Sequence, residues 1–407
     1  MHILLIHQAF AALNEAGGTR HHELARYLVQ RGHRVTIIAS PVSYLTGKAG
    51  QGSTGWVSQQ DIEPGITILR TYTYSALHKS FVHRVFSFLS FMISSFLIGL
   101  SVKEVDLVWG TSPPIFQGVT AWLLARVKRA PFLFEVRDLW PAFAIAVGVL
   151  RNPVLKRASL WLERFLYRHA DRVMVNSPGF IDHVVQRGAK WVELVPNGAE
   201  PGMFNPQADG KAFRNRHNLN GRFVVLYAGA HGMSNDLQVL LQAAGLLREN
   251  PLIQFVLIGD GKEKQALIRQ AEGMKLDNVL FLPPAPKDQM DEVFAGSDAC
   301  IAILKPLELY KTTYPNKVFD YMAAGRPVIL SIDGVIRDVV ETAGAGIFAA
   351  PGSPEAVAQA ALELANDLAR AKEMGKAGRG YIEKHFNRRD LAEKLALILE
   401  EMKGLYG

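Results

Sequence analysis

The sequence predicts an α/β protein made of two doubly wound, Rossmann-like domains. Short apolar runs alternate with helix-length segments along the whole chain, the pattern of a parallel sheet covered on both faces. An opening of strand, glycine-bearing loop and helix occurs at the start and recurs near residue 223. A turn-rich stretch from Pro196-Asn197-Gly198 to Asn205-Pro206 separates the two runs and fits a hinge. The 407 residues suit two or three domains at about 150 residues each. The boundaries expected are 1–200 and 201–386, with a helix at about 387–407 a candidate to pack back on the first domain.

In order, Ile3–Ile6 is the first strand, and a helix with Leu24 and Leu28 at helical spacing ends at Gly32-His33. Strands follow at 35–39, 106–109, 132–136, 173–175 and 192–195. In the second half, Phe223–Tyr227 runs through Gly229 and Gly232 into a helix at 236–248. Later strands lie at 255–258, 279–282, 299–304, 327–330 and 346–348. The chain begins on a strand rather than a basic, apolar leader, so no signal peptide is expected. Two facing domains would form a cleft, where small ligands bind.

Composition narrows the class. Hydrophobic residues at 49% and charged residues at 20% describe a folded, well-buried chain. The single cysteine, Cys300, excludes an internal disulfide and any zinc site needing two thiolates, and favours a reducing compartment. Charge is uneven. Residues 1–200 hold 21 Lys and Arg against 13 Asp and Glu, a net of +8, while the remainder nets −1. A basic first half suits an anionic membrane surface or phosphorylated substrate; a merely solvated basic surface has the same composition.

Three segments carry candidate chemistry. Gly17-Gly18 lies between the first strand and helix, where a bare backbone can approach an anion, but the spacing is not that of a dinucleotide site. Glu135, Arg137 and Asp138 follow a buried strand at the carboxyl end where α/β ligands bind; a structural Arg–Asp or Arg–Glu pair is the competing reading. In Asn316 to Val328, Pro315 suits the first turn of a helix, so the amides of Asn316, Lys317 and Val318 would face outward toward a phosphate. Asp320, one turn on, could accept hydrogen bonds from ribose hydroxyls. Gly325 would end this helix and Pro327 open the next strand. Among the histidines His7, His21, His22 and His231, only His231, beside Gly232, rises above a structural role.

Taken together, these pieces resemble GT-B glycosyltransferases of family 4, the retaining nucleotide-sugar transferases, over essentially the whole chain. The resemblance rests on Gly17-Gly18 with Gly32-His33, Ala170–Val173 with Asn176-Ser177, Val195–Gly198, Ile258–Gly261, Asn278–Leu282 and Asp320–Val328. Val136–Pro141 and Ala228–Gly232 resemble a bacterial surface-polysaccharide subgroup that includes N-acetyl-fucosamine-type transferases. The resemblance implies a UDP-sugar donor held by Gly17, Gly18, His231, Gly232, Gly259, Leu282, Lys311, Asn316, Lys317, Val318 and Asp320. It implies an acceptor that is polyprenyl-diphosphate-linked or a saccharide, and no resident cofactor, metal or nucleic acid. Arg137, Asp138 and Glu135 are the catalytic-pocket candidates.

This chain departs from the family at several positions. Where the family carries two glutamates eight apart, it has Thr312 and Asp320. The usual diphosphate-binding Arg and Lys fall at Ala230 and Asn235, so phosphate charge would be met by amides, Lys317, Lys311 or Arg137. No two aspartates stand two apart, so a D-x-D metal motif is absent. The resemblance implies same-face substitution at the anomeric carbon, with fixed dipoles and cations stabilising the departing diphosphate. A nucleotide-sugar epimerase and a non-catalytic nucleotide-sugar-binding subunit are the alternatives.

Val85 to Val102 is a run of 18 uncharged residues. It is at the lower limit for a membrane span, but a crossing would split the first domain's sheet. Ser87, Ser90, Ser94 and Ser101 share a helical stripe, with Phe88, Phe91 and Phe96 elsewhere. A helix buried against the sheet is one reading. The other is a helix at about 79–103 lying on the inner membrane face, its phenylalanines inserted and Lys79, Arg84 and Lys103 near anionic lipid.

Overall fold

The computed structural model describes residues 1–43, 55–75 and 81–404. The chain divides into two compact units: Met1–Ala12 with Gly17–Pro196 and Arg389–Gly407, and Leu13–Ala16 with Asn197–Arg388.

The first unit is built on an eight-stranded sheet ordered β3-β4-β2-β1-β5-β6-β7-β8. Its strands are β1 (His2–Ile6), β2 (Arg34–Ala39), β3 (Val57–Glu63), β4 (Ile66–Thr71), β5 (Leu107–Ser112), β6 (Phe132–Val136), β7 (Arg172–Val175) and β8 (Val192–Leu194). All neighbours are parallel except β3 and β4, an antiparallel edge hairpin turning at Pro64-Gly65. The sequence reading missed both strands of that hairpin. β3 is polar, Ser58-Gln59-Gln60-Asp61, because it sits at the sheet edge and buries little. The order reverses at β1, flanked by β2 and β5, which places a topological switch point at the carboxyl ends of β1 and β5.

Helix Arg20–Gln30 joins β1 to β2 and packs Leu24, Ala25 and Leu28 into a core with Ile3, Leu5 and Trp109. The chain's last helix, Arg388–Gly404, adds Leu395, Leu399 and Met402 to this same core. Helices Phe81–Ser101, Phe116–Lys128 and Pro153–His169 make successive parallel crossovers from β4 to β5, β6 and β7. They advance in one direction, so right-handed connection lays them on the opposite face.

The second unit has a six-stranded, all-parallel sheet ordered β11-β10-β9-β12-β13-β14. These are β9 (Phe223–Ala228), β10 (Ile253–Ile258), β11 (Val279–Leu282), β12 (Ala299–Ile303), β13 (Val328–Ser331) and β14 (Gly346–Phe348). Alternate strand residues feed two cores, one on each face: Val224 and Leu226 point one way, Val225 and Tyr227 the other. Its strand order reverses at β9.

Glu135 at the end of β6 is completely buried. Its Oε1 accepts from Arg20 Nε at 3.2 Å and its Oε2 from His21 Nε2 at 2.5 Å. Arg20 also donates to the carbonyls of Val195 and Pro196, each at 2.8 Å. Burial pushes the Glu135 carboxyl up, but His21, Arg20 and Arg137 outweigh it and hold the pKa near about 2. The group therefore clamps the first helix to the sheet. Glu135→Ala should cost roughly 3–5 kcal/mol in urea unfolding, because Arg20 stays buried without this carboxylate. The stabilisation from this depressed carboxyl should be complete above its unfolded pKa of about 4.3 and fade as pH falls toward about 2. An unchanged acid limb in the mutant would show that the clamp contributes nothing.

Candidate functional site

In the second unit the site residues gather at the carboxyl edge, where β9 and β10 run into glycine loops. Gly259 (φ +151°) leaves β10 so close to the β9 loop that an added Cβ would lie 1.8 Å from the Gly229 carbonyl oxygen. At Gly261 the same addition would lie 2.5 Å from the carbonyl of His231. His231 N donates to Asp260 O at 2.8 Å, and Glu263 N donates back to His231 O at 2.9 Å. The two loops are thus stitched backbone to backbone.

His231 is fully buried, and among the described residues neither ring nitrogen has a hydrogen-bond partner. Burial, Lys264 and Lys317 push its pKa down to about 4, so the ring is neutral at pH 7 and can donate from one nitrogen. Gly232, next in the chain, accepts from Asn235 N at 3.0 Å and so closes the loop that carries His231.

Helix Asn316–Ala323 starts beside these loops with no side-chain cap. Lys317 in its first turn donates to Tyr227 Oη at 2.9 Å, its ammonium 4.1 Å from that ring's centre. A Cβ on Gly229 would come within 2.7 Å of the same ammonium. Among the described residues no carboxylate forms an ion pair with Lys317. Although the side chain is only half-buried overall, its ammonium end is enclosed, and burial pushes its pKa down to about 7. An amino group in this setting lacks an anion.

Asp320 sits one turn on. Its Oδ1 lies 2.5 Å from Lys287 Nζ and its Oδ2 accepts from Asn316 Nδ2 at 3.1 Å. Lys287 was not singled out in the sequence; it lies in the loop after β11, and only the fold brings it to Asp320. Asn316 Oδ1 in turn accepts from Arg388, at 3.0 Å. The Asp320 carboxylate is therefore fixed in place by Lys287 and Asn316.

Two donor-site expectations need correcting, those for Val318 and Lys311. The Val318 amide does not face outward: it donates to Pro315 O at 3.1 Å, and its side chain is buried. Lys311 is already neutralised, by Glu308 at 2.8 Å and Asp333 at 3.7 Å. Its local sequence supplied the carboxylate three residues before it. The Leu282 carbonyl is taken by Lys264 Nζ at 2.8 Å, which also holds Gly259 O at 2.7 Å. Lys264 thus spans the ends of β10 and β11. Thr312 turns its hydroxyl back to Leu309 O at 2.7 Å.

In the first unit, Glu135 is not open to a substrate, for it is sealed between Arg20 and His21. The structural reading holds, with Arg20 rather than Arg137 as the partner. Arg137 is half-buried and reaches back to the carbonyls of Ser112 (3.2 Å) and Pro113 (3.3 Å) at the end of β5. Protein packed around Asp138 alone would raise its carboxyl to about 6, but the side chain is exposed; its solvation opposes that rise and keeps the group ionised at neutral pH. Arg137 and Asp138 therefore flank the switch point of this sheet. Gly17 (φ +155°) would place a Cβ 2.8 Å from that of Ala11, a real steric demand, while an added Cβ at Gly18 meets nothing within 4 Å. His7 is fully buried beside His21, their rings 4.3 Å apart, and is held neutral by burial and by Arg137.

Gly259→Ala must push the β9 and β10 loops apart, because the clash is with a backbone oxygen. It should lower the melting temperature and weaken binding of a nucleoside diphosphate by more than about tenfold, since preorganised amides are lost. Calorimetric titration with unchanged affinity would remove these loops from the site.

Residues 16–198 match the family model described as a glycosyl transferase 4-like domain, and residues 222–367 match that of glycosyl transferases group 1. WcaI of Escherichia coli K12, a glycosyl transferase named for colanic acid biosynthesis, is 24% identical over 348 residues, spanning 82% of this chain and 85% of its own. A GDP-mannose-dependent alpha-mannosyltransferase of Mycobacterium tuberculosis is 25% identical over 262 residues, 63% of this chain and 64% of its own. Among solved structures, sucrose-phosphate synthase of Thermosynechococcus elongatus superposes with a TM-score of 0.79 at 20% identity, covering 99% of both chains. Anabaena HepE in complex with UDP superposes at 0.71 and 16% identity, over 98% of this chain and 100% of that one. With both domain models matched in order and two parallel-sheet units of this topology, the chain belongs to the GT-B glycosyltransferases.

Proposed function

We propose that the protein is a retaining, metal-independent glycosyltransferase of bacterial surface-polysaccharide synthesis. It moves an N-acetylated hexosamine or deoxyhexosamine from a UDP-sugar to a polyprenyl-diphosphate-linked or saccharide acceptor, on the cytoplasmic face of the inner membrane. The observation that carries the donor half is Lys317: an enclosed ammonium with no ion-pair partner among the described residues, at an uncapped helix start beside two glycine loops. A diphosphate supplies the charge this arrangement lacks, and it is also the leaving group whose developing charge has to be stabilised. Neutral His231 adds a hydrogen-bond donor at the same loop. Asp320, steadied by Lys287 and Asn316, is the acceptor for ribose hydroxyls. The relative named for colanic acid biosynthesis and the UDP complex of HepE support the polysaccharide and uridine parts of this reading.

In this mechanism the donor's diphosphate is held by Lys317, the Asn316 and Lys317 amides and His231, and the sugar–phosphate bond breaks toward those groups. The acceptor hydroxyl attacks from the face the diphosphate leaves, giving up its proton to a departing phosphate oxygen. Arg137 and Asp138 orient the acceptor.

Donor titration by calorimetry tests the assignment. Lys317→Met should weaken UDP by about ten- to hundredfold, the loss of a charged hydrogen bond, and leave uridine nearly unchanged. Equal losses for both would make Lys317 structural. A pH series offers an independent check. The free ammonium titrates near about 7, and phosphate raises that value, so binding takes up a proton above pH 7. UDP affinity should therefore fall between pH 7 and 8.5, by up to about tenfold per unit, and this slope should vanish in Lys317→Met. Tighter binding of GDP than of UDP would overturn the uridine assignment, and donor turnover without any acceptor would replace transfer with epimerisation.

A further inference from the structure

Helix Phe81–Ser101 is amphipathic in the inverted sense. Its serines up to Ser95 point inward: Ser87, Ser94 and Ser95 are buried, Ser94 Oγ donates to Tyr72 O at 2.7 Å, and Ser90 Oγ accepts from Tyr74 N at 2.9 Å. They satisfy the chain leaving β4. Its large apolar side chains point outward instead. Phe86, Ile93, Leu97 and Leu100 are all exposed, at spacings that align them on one stripe, and Ile93 is 55% accessible. The sequence expectation of inserted Phe88 and Phe91 is corrected by this geometry. Phe91 is fully buried, and Phe88 packs on Phe116 with ring centres 5.8 Å apart. Lys79, also named there, lies outside the described residues.

The stripe continues at one end into an exposed aromatic cluster. Trp56 and Tyr72 stack at 5.6 Å, and Tyr74 meets His83 at 6.0 Å and Phe86 at 6.5 Å. On the same face of the sheet, helix Pro153–His169 exposes Val154, Leu155 and Trp161, the last 65% accessible. Trp161 stacks on Phe165, which packs edge-on against Trp122 of the intervening helix Phe116–Lys128. That middle helix is tied to the first, with Thr120 Oγ1 donating to Met92 O at 3.1 Å.

Charge on this layer has one sign. The three helices contain a single carboxylate, Glu163, and it is buried between His183 (2.7 Å) and Arg187 (2.9 Å). Arg126, Arg157, Arg164 and Arg168 are exposed. A second copy of the same face would set arginine against arginine. An extended apolar phase with an anionic rim matches both properties.

We propose that this three-helix layer is a docking surface for an anionic lipid bilayer, with two apolar anchors, the 86–93–97–100 stripe and the Trp161 cluster, inserted at the headgroup level. Tryptophan and tyrosine favour that depth, and arginines beside them meet lipid phosphates. Insertion stops there. Helix Phe81–Ser101 has length and composition enough to cross a membrane, but β4 before it and β5 after it belong to one sheet. The surface deepens the proposed action at the membrane and rests on that reading for its purpose.

Vesicle flotation of the full chain tests it, using phosphatidylcholine with and without phosphatidylglycerol. Binding is expected on vesicles containing phosphatidylglycerol, weakened by salt, with Trp161 among the tryptophans quenched by brominated lipid. Ile93→Asp with Leu97→Asp, and separately Trp161→Asp, should each cut binding, and Arg157→Glu with Arg164→Glu should weaken it by more than about tenfold. All are exposed positions, and each variant should keep the wild-type melting temperature and UDP affinity, so that failure of the donor assignment and failure of the surface are read separately. No flotation at low salt, or equal flotation of wild type and variants, overturns the proposal. So does a dimer at sedimentation equilibrium that the same substitutions dissolve, which would make the face an interface between copies.

Discussion

The second unit's ligand edge depends on one close backbone approach. The loop after β10 reaches the loop after β9 only because Gly259 presents a hydrogen where any other residue would present a carbon. That approach lets His231 and Asp260 exchange backbone contacts, which in turn brings the imidazole under the loop and the Lys317 ammonium up against Gly229. Remove the approach and the cation, the neutral ring and the helix start no longer converge. The glycines here set spacing, and the spacing sets the electrostatics.

Those electrostatics differ between the two units. In the first, two buried carboxylates are matched: Glu135 is met by Arg20 and His21, Glu163 by His183 and Arg187. Matched buried charges hold elements together and leave little for a ligand to do. In the second unit Lys317 and His231 are set where a charge or hydrogen-bond partner is wanting. That contrast separates residues that hold the fold from residues arranged for an anion, although both kinds look alike as letters in a sequence.

The central strands were legible because strands buried on both faces must be continuous apolar runs, and Phe132–Val136, Phe223–Ala228 and Ala299–Ile303 fall within a residue of where expected. The edge hairpin was not, because an edge strand facing water carries polar residues without a diagnostic period. At the site, the glycine loops and the helix after Pro315 could be found from local spacing. Lys287 could not, for its relation to Asp320 exists only across the fold, and the neutralisation of Lys311 by Asp333 is equally non-local. Helix Phe81–Ser101 shows a subtler limit. Its serine stripe was visible, but composition alone did not say which stripe faces the protein. That was decided by the backbone groups leaving β4, which take their hydrogen bonds from serine.

The last helix has a consequence for how the protein is made. Leu395, Leu399 and Met402 belong to the core that also holds Ile3, Leu5 and Trp109, so that core lacks part of its wall until helix Arg388–Gly404 has been synthesised. Chains generally fold domain by domain from the amino end as they leave the ribosome. Here the second unit, whose residues all precede Arg389, can close while the first still waits. Of the two units, the one whose strands are made earlier is completed later, and in the interval its unsealed apolar surface is in the care of whatever binds nascent chains.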